Sequence, residues 1–170
     1  MVKAMQKRPG ISYLLPATVI LILVMFILPG YSSPGYSILK NTTSHLGAQN
    51  APNAWIMNLV FLLLGVAVIL EAWFHLKPYR VQQFLLGIFG LGLLGVAIFQ
   101  HGPIIEGISA DLFEDMMHSV FATTVGFSFI LFAVSTAFIE TKRTRRVSAL
   151  LIAVLAASLS ALMFAVPDLA

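Results

Sequence analysis

The sequence predicts an all-α membrane protein, a bundle of five transmembrane helices in a single domain over residues 1–170. Two composition values and one pattern support this prediction. Charged residues make up 10% of the 170 residues, and the mean hydropathy is +0.93, whereas a soluble domain carries about 25% charged residues. Five apolar runs each approach the roughly 20 residues that a helix needs to cross a bilayer. We therefore expect an integral membrane protein of a prokaryotic cell membrane.

The five runs must be helical, because backbone groups inside a bilayer have no water to bind. The predicted helices cover residues 11–28, 54–76, 81–99, 110–139 and 147–166. Asn53 is the expected N-cap of the second helix, and Ser109 is the expected N-cap of the fourth. The first run is longer than the roughly 7–15 apolar residues of a signal peptide. We therefore expect the first run to be a retained helix.

The basic residues predict the orientation of the bundle. Nine of the 10 Lys and Arg residues fall on one side of five alternating helices: Lys3, Lys7, Arg8, Lys77, Arg80, Lys142, Arg143, Arg145 and Arg146. The positive-inside rule makes that side cytoplasmic, with the N-terminus inside and the C-terminus outside. These short clusters border membrane spans, so we do not expect them to bind nucleic acid. The carboxylates at Glu106, Asp111, Glu114, Asp115 and Asp168 map outside, where they either solvate a loop or form a cation or ligand site.

Small residues indicate where the helices pack, because membrane helices associate through close contact. In the third helix we expect Gly87, Gly90 and Gly95 to fall on one packing side. In the fifth helix, a stripe of small residues repeats at spacings of four, three and four. It contains Ala149, Ala153, Ala156 and Ser160.

A polar outer face is predicted from the segments 41–58 and 101–119, which lie beside the membrane in an otherwise apolar chain. We expect its polar cluster to contain Ser44, His45, Asn53, Asn58, His101, Asp111, Glu114, Asp115 and His118. His118 is the leading candidate, because a histidine at membrane depth normally faces the bundle interior. It either closes the outer loop through a hydrogen bond to a loop carbonyl or to Ser44, or acts as a metal ligand or general base.

A metal site is one hypothesis for this face. His45, His101 and His118, with Asp111 or one of the neighbouring carboxylates Glu114 and Asp115, would offer the nitrogen and oxygen ligands that zinc takes. Zinc-bound water would then attack an ester or amide at the membrane surface. The spacing matches no established zinc motif. Haem is disfavoured, since no CxxCH motif is present and His75 lies at the opposite end of the bundle, where Glu71 is its expected partner.

Several segments resemble a known family of multi-spanning membrane proteins. The stretch 44-SHLGA-48, then Pro52, then 58-NLVFLLLG-65 and 118-HSVFATTVGFSF-129 resemble the DUF998 family. More distantly, the layout is similar to the Frag1/DRAM/Sfk1 membrane proteins. The matching positions are Ser44, Leu46, Gly47, Asn58 and His118. The resemblance implies that Ser44 and His118 meet across the outer face. It also implies six helices, so the five found here favour pairing with a partner chain.

The leading functional hypothesis is a non-enzymatic membrane protein with an outward-facing polar pocket for a lipid headgroup, a small ligand or a cation. Its expected partners are membrane lipids, with a homo-oligomer or a partner membrane protein as further expectations. The alternative is a membrane-embedded metal-dependent hydrolase using the same residues. A transporter has less support, because the sequence shows no inverted repeat and no broken helix with a charge at mid-membrane.

Overall fold

The described part of the chain forms five consecutive α-helices. The computed structural model describes residues 12–105 and 107–165, apart from the side chains of residues 163 and 164. The helices are α1 (Leu14–Ile27), α2 (Ala54–His75), α3 (Arg80–Ile98), α4 (Leu112–Ile139) and α5 (Arg143–Ala165). Five helical spans are long and apolar enough to cross a membrane, the first of them being α1 together with the 3-10 helix that follows it (Leu14–Tyr31). The all-α, five-helix prediction is therefore confirmed. Lys3, Lys7, Arg8, Glu106 and Asp168, which the orientation argument used, lie outside the described residues.

Helix α4 begins later than predicted, at Leu112, and Asp111 is its N-cap in place of Ser109. Asp111 has an extended backbone (φ −77°, ψ 105°), which directs its side chain back over the first helical turn. Its Oδ1 accepts hydrogen bonds from the backbone N–H groups of Phe113 (2.9 Å) and Glu114 (3.1 Å). A carboxylate is favoured here over a hydroxyl, because its charge also meets the positive end of the helix dipole.

Consecutive helices pack against each other, α1 on α2, α2 on α3, α3 on α4 and α4 on α5. Successive helices run antiparallel, as two hydrogen bonds show. The Gln83 side chain, near the start of α3, donates to the carbonyl of Ala72 near the end of α2 (3.2 Å). The Gln82 side chain donates to the carbonyl of Ser135 near the end of α4 (3.1 Å). The short connections 76–79 and 140–142 therefore share one end of the bundle, and the long connections 28–53 and 99–111 share the other.

The core lies along α2 and α3 and is closed at one end by the long connection between α1 and α2. This connection contains two short 3-10 helices, Leu28–Tyr31 and Thr43–Gly47. Leu46, from the second of them, is completely buried and belongs to the same apolar cluster as Met57 and Val68 of α2. Burying such a side chain contributes about 1.5–3 kcal/mol, so this connection is part of the folded core.

The glycines of α3 face two different helices, which corrects the prediction of one packing side. A Cβ on Gly90 would meet Ile69 of α2 at 2.6 Å and the carbonyl of Gly65 at 2.9 Å. A Cβ on Gly95 would instead overlap the ring of Phe121 in α4, while one on Gly87 would meet nothing within 4 Å. Residues five apart on a helix are separated by about 140°, so Gly90 and Gly95 contact different neighbours of α3.

The stripe of small residues in α5 is confirmed as its packing side. Ala153 is 3% exposed. Among the α5 residues whose side chains are described, the positions that are not fully exposed are Ala149, Ala153, Ala156 and Ser160. The remaining face carries large apolar side chains such as Leu151 and Val154. In a membrane that face lies against lipid or against another chain.

The end of the bundle with the short connections holds the predicted pair of Glu71 and His75. Glu71 Oε1 lies 3.2 Å from His75 Nδ1, and its other oxygen accepts the backbone N–H of Tyr13 at the start of α1 (3.3 Å). Glu71 therefore joins the end of α2 to the start of α1. The basic residues Lys77, Arg80 and Lys142 belong to this end, away from the segments 41–58 and 101–119.

Candidate functional site

The two long connections meet at one end of the bundle, hereafter the polar end (residues 28–58 and 99–118). Gln49 joins them through four hydrogen bonds. Its side-chain Oε1 accepts from the backbone N–H of Asp111 (2.7 Å). Its Nε2 donates to the carbonyls of Asp111 (3.0 Å) and Gln100 (3.3 Å), and its backbone N–H donates to the carbonyl of His101 (2.9 Å). Gln49 therefore holds the second connection against the first.

A second contact, between Gly47 and Asn58, fixes the first connection to α2. The Asn58 side-chain amide donates to the carbonyl of Gly47 (3.2 Å). A Cβ on residue 47 would overlap the Asn58 side chain, so the approach requires glycine. These contacts give structural roles to Leu46, Gly47 and Asn58, three of the positions on which the family resemblance rests.

Asn53 occupies the N-cap position of α2 as predicted, but its side chain does not cap the helix. Its backbone is left-handed (φ 60°, ψ 19°), whereas a capping side chain needs an extended backbone to reach the first helical N–H groups. Its amide donates instead to the carbonyl of Tyr31 (2.8 Å). Asn53 therefore ties the end of the first 3-10 helix to the start of α2.

The three predicted carboxylates in α4 and its cap all bind backbone N–H groups. Asp111 caps α4, as described above. Glu114 Oε2 accepts from the N–H of Gln100 (3.3 Å), and Asp115 Oδ1 accepts from the N–H of Gly102 (2.6 Å). Glu114 and Asp115 thus anchor the second connection on α4, and one oxygen of each carboxylate is already engaged.

Three histidines from three separate segments form a histidine cluster, defined as His45, His101 and His118. The ring centroids of His45 and His101 lie 4.3 Å apart, and those of His101 and His118 lie 5.1 Å apart with the rings edge to face. His45 and His118 are 5% and 2% exposed, while the side chain of His101 is 26% exposed. His101 also contacts Asp115, with 3.5 Å between Nδ1 and Oδ1.

The partners of each ring assign its neutral tautomer. His118 Nδ1 lies 2.8 Å from the carbonyl of Phe99, and His101 Nδ1 lies 3.1 Å from the carbonyl of Gly102. Since a carbonyl only accepts, both Nδ1 atoms carry hydrogen, and both Nε2 atoms are acceptors. His45 is the reverse, because its Nδ1 accepts from the N–H of Thr42 (3.1 Å). Its proton is therefore on Nε2.

The hydrogen bond of His118 goes to a main-chain carbonyl, which is one of the two partners predicted for its structural role. That carbonyl belongs to Phe99, directly after α3. Among the described residues, no hydrogen bond joins His118 to Ser44, the alternative partner that the family resemblance implied. Ser44 lies one residue before His45 and is partly buried.

One polar atom in the cluster has no partner. Nε2 of His118 is buried and makes no hydrogen bond. An unpaired buried acceptor costs about 1–3 kcal/mol, so such an atom calls for an explanation. His45, another ring of the cluster, resists protonation. Its burial, and then the repulsion between the charged forms of His45 and His101, lower the pKa of His45 to about 4. His45 is therefore neutral at pH 7.

The predicted metal ligands are only partly brought together. The structure places His45, His101 and His118 side by side, with Asp115 against His101, while Asp111 serves as the cap of α4. Within the described parts of the chain, no three histidine or carboxylate side chains are arranged to hold a metal ion. The rings stand tilted and edge to face, whereas metal ligands must direct their lone pairs at one point.

Gln49 is the residue that sequence reasoning undervalued. It stands in the same polar stretch as His45, so its polarity in an apolar chain was visible. The sequence does not show that a long amide can reach both the N–H and the carbonyl of Asp111, 62 positions away. The signal that could have singled it out is its segment. Both 41–58 and 101–119 were predicted to lie at the same end of the bundle, so a long polar side chain in one could reach the other.

Comparison with known proteins gives one match. A family model described as "Protein of unknown function (DUF998)" matches residues 16–169, nearly the whole chain. No curated protein and no solved structure matches. The resemblance drawn from 44-SHLGA-48, 58-NLVFLLLG-65 and 118-HSVFATTVGFSF-129 is confirmed at the level of the family.

Proposed function

Since the chain belongs to the DUF998 family, whose description states no activity, we propose a function from the polar end itself. The protein is an integral membrane protein that binds a lipid headgroup, a small ligand or a cation at the histidine cluster. A single observation carries this proposal: the buried, unpartnered Nε2 of His118. Because this atom is an acceptor, the bound group must present a hydrogen-bond donor or a positive charge to it.

The other predicted polar residues support the site indirectly. Asn53, Asn58 and Asp111 are each committed to backbone groups. Their contacts hold the two connections in place, so we assign them positioning roles. The binding hypothesis therefore narrows to His118 and His101, with Asp115 as the adjacent carboxylate.

The test separates the two ring nitrogens of His118. Asparagine places an amide nitrogen near the position of Nδ1, so His118→Asn can keep the bond to Phe99 while losing Nε2. His118→Ala loses both. The readout is native mass spectrometry of protein purified with membrane lipids. We expect the wild type and a His75→Gln control to retain a bound molecule that His118→Asn loses. Equal retention by His118→Asn would overturn the proposal.

The hydrolase alternative has less support. It required three or more ligands directed at one metal ion, and the described residues offer no such set. The carboxylates it would use each already accept a backbone N–H. Metal analysis of purified protein checks this directly: about one equivalent of zinc, lost in His118→Ala, would restore the hydrolase hypothesis.

The orientation and the partners remain proposals. We place the polar end outside the cell and the basic end in the cytoplasm of a prokaryote, because of the charge asymmetry. The chain has no cysteine, so single cysteines at Lys40 and Lys142 report each end without interference. We expect a membrane-impermeant thiol reagent to label Lys40→Cys in intact cells and to spare Lys142→Cys.

The exposed apolar face of α5 is the surface we propose for a second copy or an accessory membrane protein.

A further inference from the structure

The chemistry around His118 narrows the class of ligand, and this inference rests on the proposed function. We propose that the histidine cluster binds a primary ammonium group, R–NH₃⁺, supplied either by the headgroup of a membrane lipid or by a small soluble amine. Its N–H groups donate to the unpaired acceptor Nε2 of His118, and the carboxylate of Asp115 supplies a nearby negative charge.

The histidine cluster supplies acceptor nitrogens for such a group. In the tautomers assigned above, Nε2 of His118 and Nε2 of His101 each offer a lone pair, and the Nε2 of His118 is unused. A primary ammonium has three N–H donors on one atom and no acceptor. It therefore satisfies the buried lone pair, whereas a carboxylate or phosphate would face it with lone pairs of its own.

Carboxylates lie close to the histidine cluster. Asp115 lies three residues before His118, on the same side of α4. Its Oδ1 binds the N–H of Gly102, and the same oxygen lies near His101. Glu114 and Asp111 add two further carboxylates. In the sequence of the two long connections, residues 28–53 and 99–111, Lys40 is the only lysine or arginine. This excess of negative charge favours a cation over an anion.

An ammonium group fits the histidine cluster better than a metal ion does. A metal ion needs several lone pairs converging at about 2.0–2.2 Å, and the described side chains do not provide three such ligands. An ammonium binds through hydrogen bonds of about 2.7–3.2 Å, which tolerate more varied directions. His101 is the partly exposed ring of the three. A ligand would therefore approach His118 from the His101 side.

The experiment uses the full-length wild-type protein with ¹⁵N-labelled histidine, in nanodiscs of phosphatidylcholine at pH 7.5. Four histidines give a spectrum that His118→Asn and His75→Gln assign. The probes are ethanolamine and choline, which carry the same charge, but choline has no N–H donor. We expect ethanolamine to shift the Nε2 resonance of His118 saturably, with His75 unaffected. Its apparent affinity should exceed that of choline by about tenfold or more.

A second arm distinguishes the sources. Replacing part of the phosphatidylcholine by phosphatidylethanolamine should produce the same shift if the lipid headgroup is the ligand. A response to soluble ethanolamine alone identifies a small amine. Asp115→Asn, which can still accept the N–H of Gly102, should weaken binding about tenfold. Asp111→Asn removes the same charge from the cap of α4 and should weaken it much less.

The results that overturn the proposal differ from those that overturn the proposed function. If choline shifts His118 as strongly as ethanolamine, donation to Nε2 is not the basis of recognition. Nanodiscs in which phosphatidylglycerol replaces the phosphatidylethanolamine serve as the anionic control. If only phosphatidylglycerol produces the shift, the cluster binds a ligand of another class, and the ammonium assignment is wrong. If neither these amines nor these lipids move the His118 resonance, the ammonium proposal is wrong, whereas the proposed function is overturned only by equal retention of a bound molecule in His118→Asn.

Discussion

The side chain of Gln49 pairs with the backbone of Asp111 through two hydrogen bonds, as one β-strand residue pairs with another. Oε1 accepts the Asp111 N–H at 2.7 Å, and Nε2 donates to the Asp111 carbonyl at 3.0 Å. Asp111 in turn caps α4. The first connection therefore sets the position at which α4 begins, and with it the depth of His118.

Removing this pairing should destabilise the polar end. We expect Gln49→Ala to lower the free energy of unfolding by about 1–2 kcal/mol, because it leaves the partly buried N–H and carbonyl of Asp111 without their partners. Gln49→Glu should also destabilise, since it keeps the acceptor and loses the donor. The measurement is thermal or denaturant unfolding in detergent. Gln100→Ala removes an amide side chain that makes none of these bonds and is the matched control. An effect of Gln49→Ala no larger than that of the control would contradict this role.

The cap of α4 can be tested against the residue that the sequence favoured. Asp111→Ala should cost about 1 kcal/mol, because it leaves the N–H groups of Phe113 and Glu114 without their acceptor. Asp111→Asn should cost less, since asparagine is also a good N-cap. Ser109→Ala should change little. Unfolding of the three variants under one condition decides the matter, and a larger loss in Ser109→Ala would restore the original assignment.

Two glycines of α3 should respond in opposite ways to the same substitution. Gly95→Ala places a methyl group where the ring of Phe121 lies, so α3 and α4 must separate at a cost of about 1–3 kcal/mol. Gly87→Ala meets nothing within 4 Å and should stabilise by roughly 0.5–1 kcal/mol through its better helix propensity. Comparing the two melting temperatures tests this, and equal shifts would refute the assigned packing.

Acid should weaken the fold through His45. The pKa of His45 falls from 6.5 to about 4 on folding, chiefly because of burial. Between pH 6.5 and 4 the unfolded chain binds a proton that the folded chain excludes, so stability is full above pH 6.5 and falls as the pH is lowered. At about 1.4 kcal/mol per pKa unit, the loss reaches up to about 3 kcal/mol.

The variant His45→Asn isolates this contribution. Asparagine can accept the N–H of Thr42 without titrating, so the variant should lose less stability than the wild type between pH 7 and pH 4.5. His75→Gln, at the other end of the bundle, should keep the wild-type difference. Unfolding followed at several pH values gives the comparison. If wild type and His45→Asn lose stability in parallel, His45 does not contribute.

The helices were predictable because their information is local. Length, hydropathy and the Ala149–Ala153–Ala156–Ser160 stripe each lie within one segment, and a bilayer leaves the backbone little alternative to a helix. The glycine positions of α3 were only half predictable. The sequence shows that Gly90 and Gly95 permit close contact, whereas the neighbour that each one meets depends on where α2 and α4 lie.

The sequence alone determined the five helices, the segregation of polar and basic residues to opposite ends, and the family. Only the tertiary structure decided how the polar end is used. It made Asp111 rather than Ser109 the cap of α4, used Gln49 to join the two long connections, bonded His118 to Phe99 and brought together three histidines from segments far apart in the chain. The physical reason is that hydropathy and helix propensity act over one segment. Each polar group at that end has several chemically equivalent partners, and only distance in the folded chain selects among them.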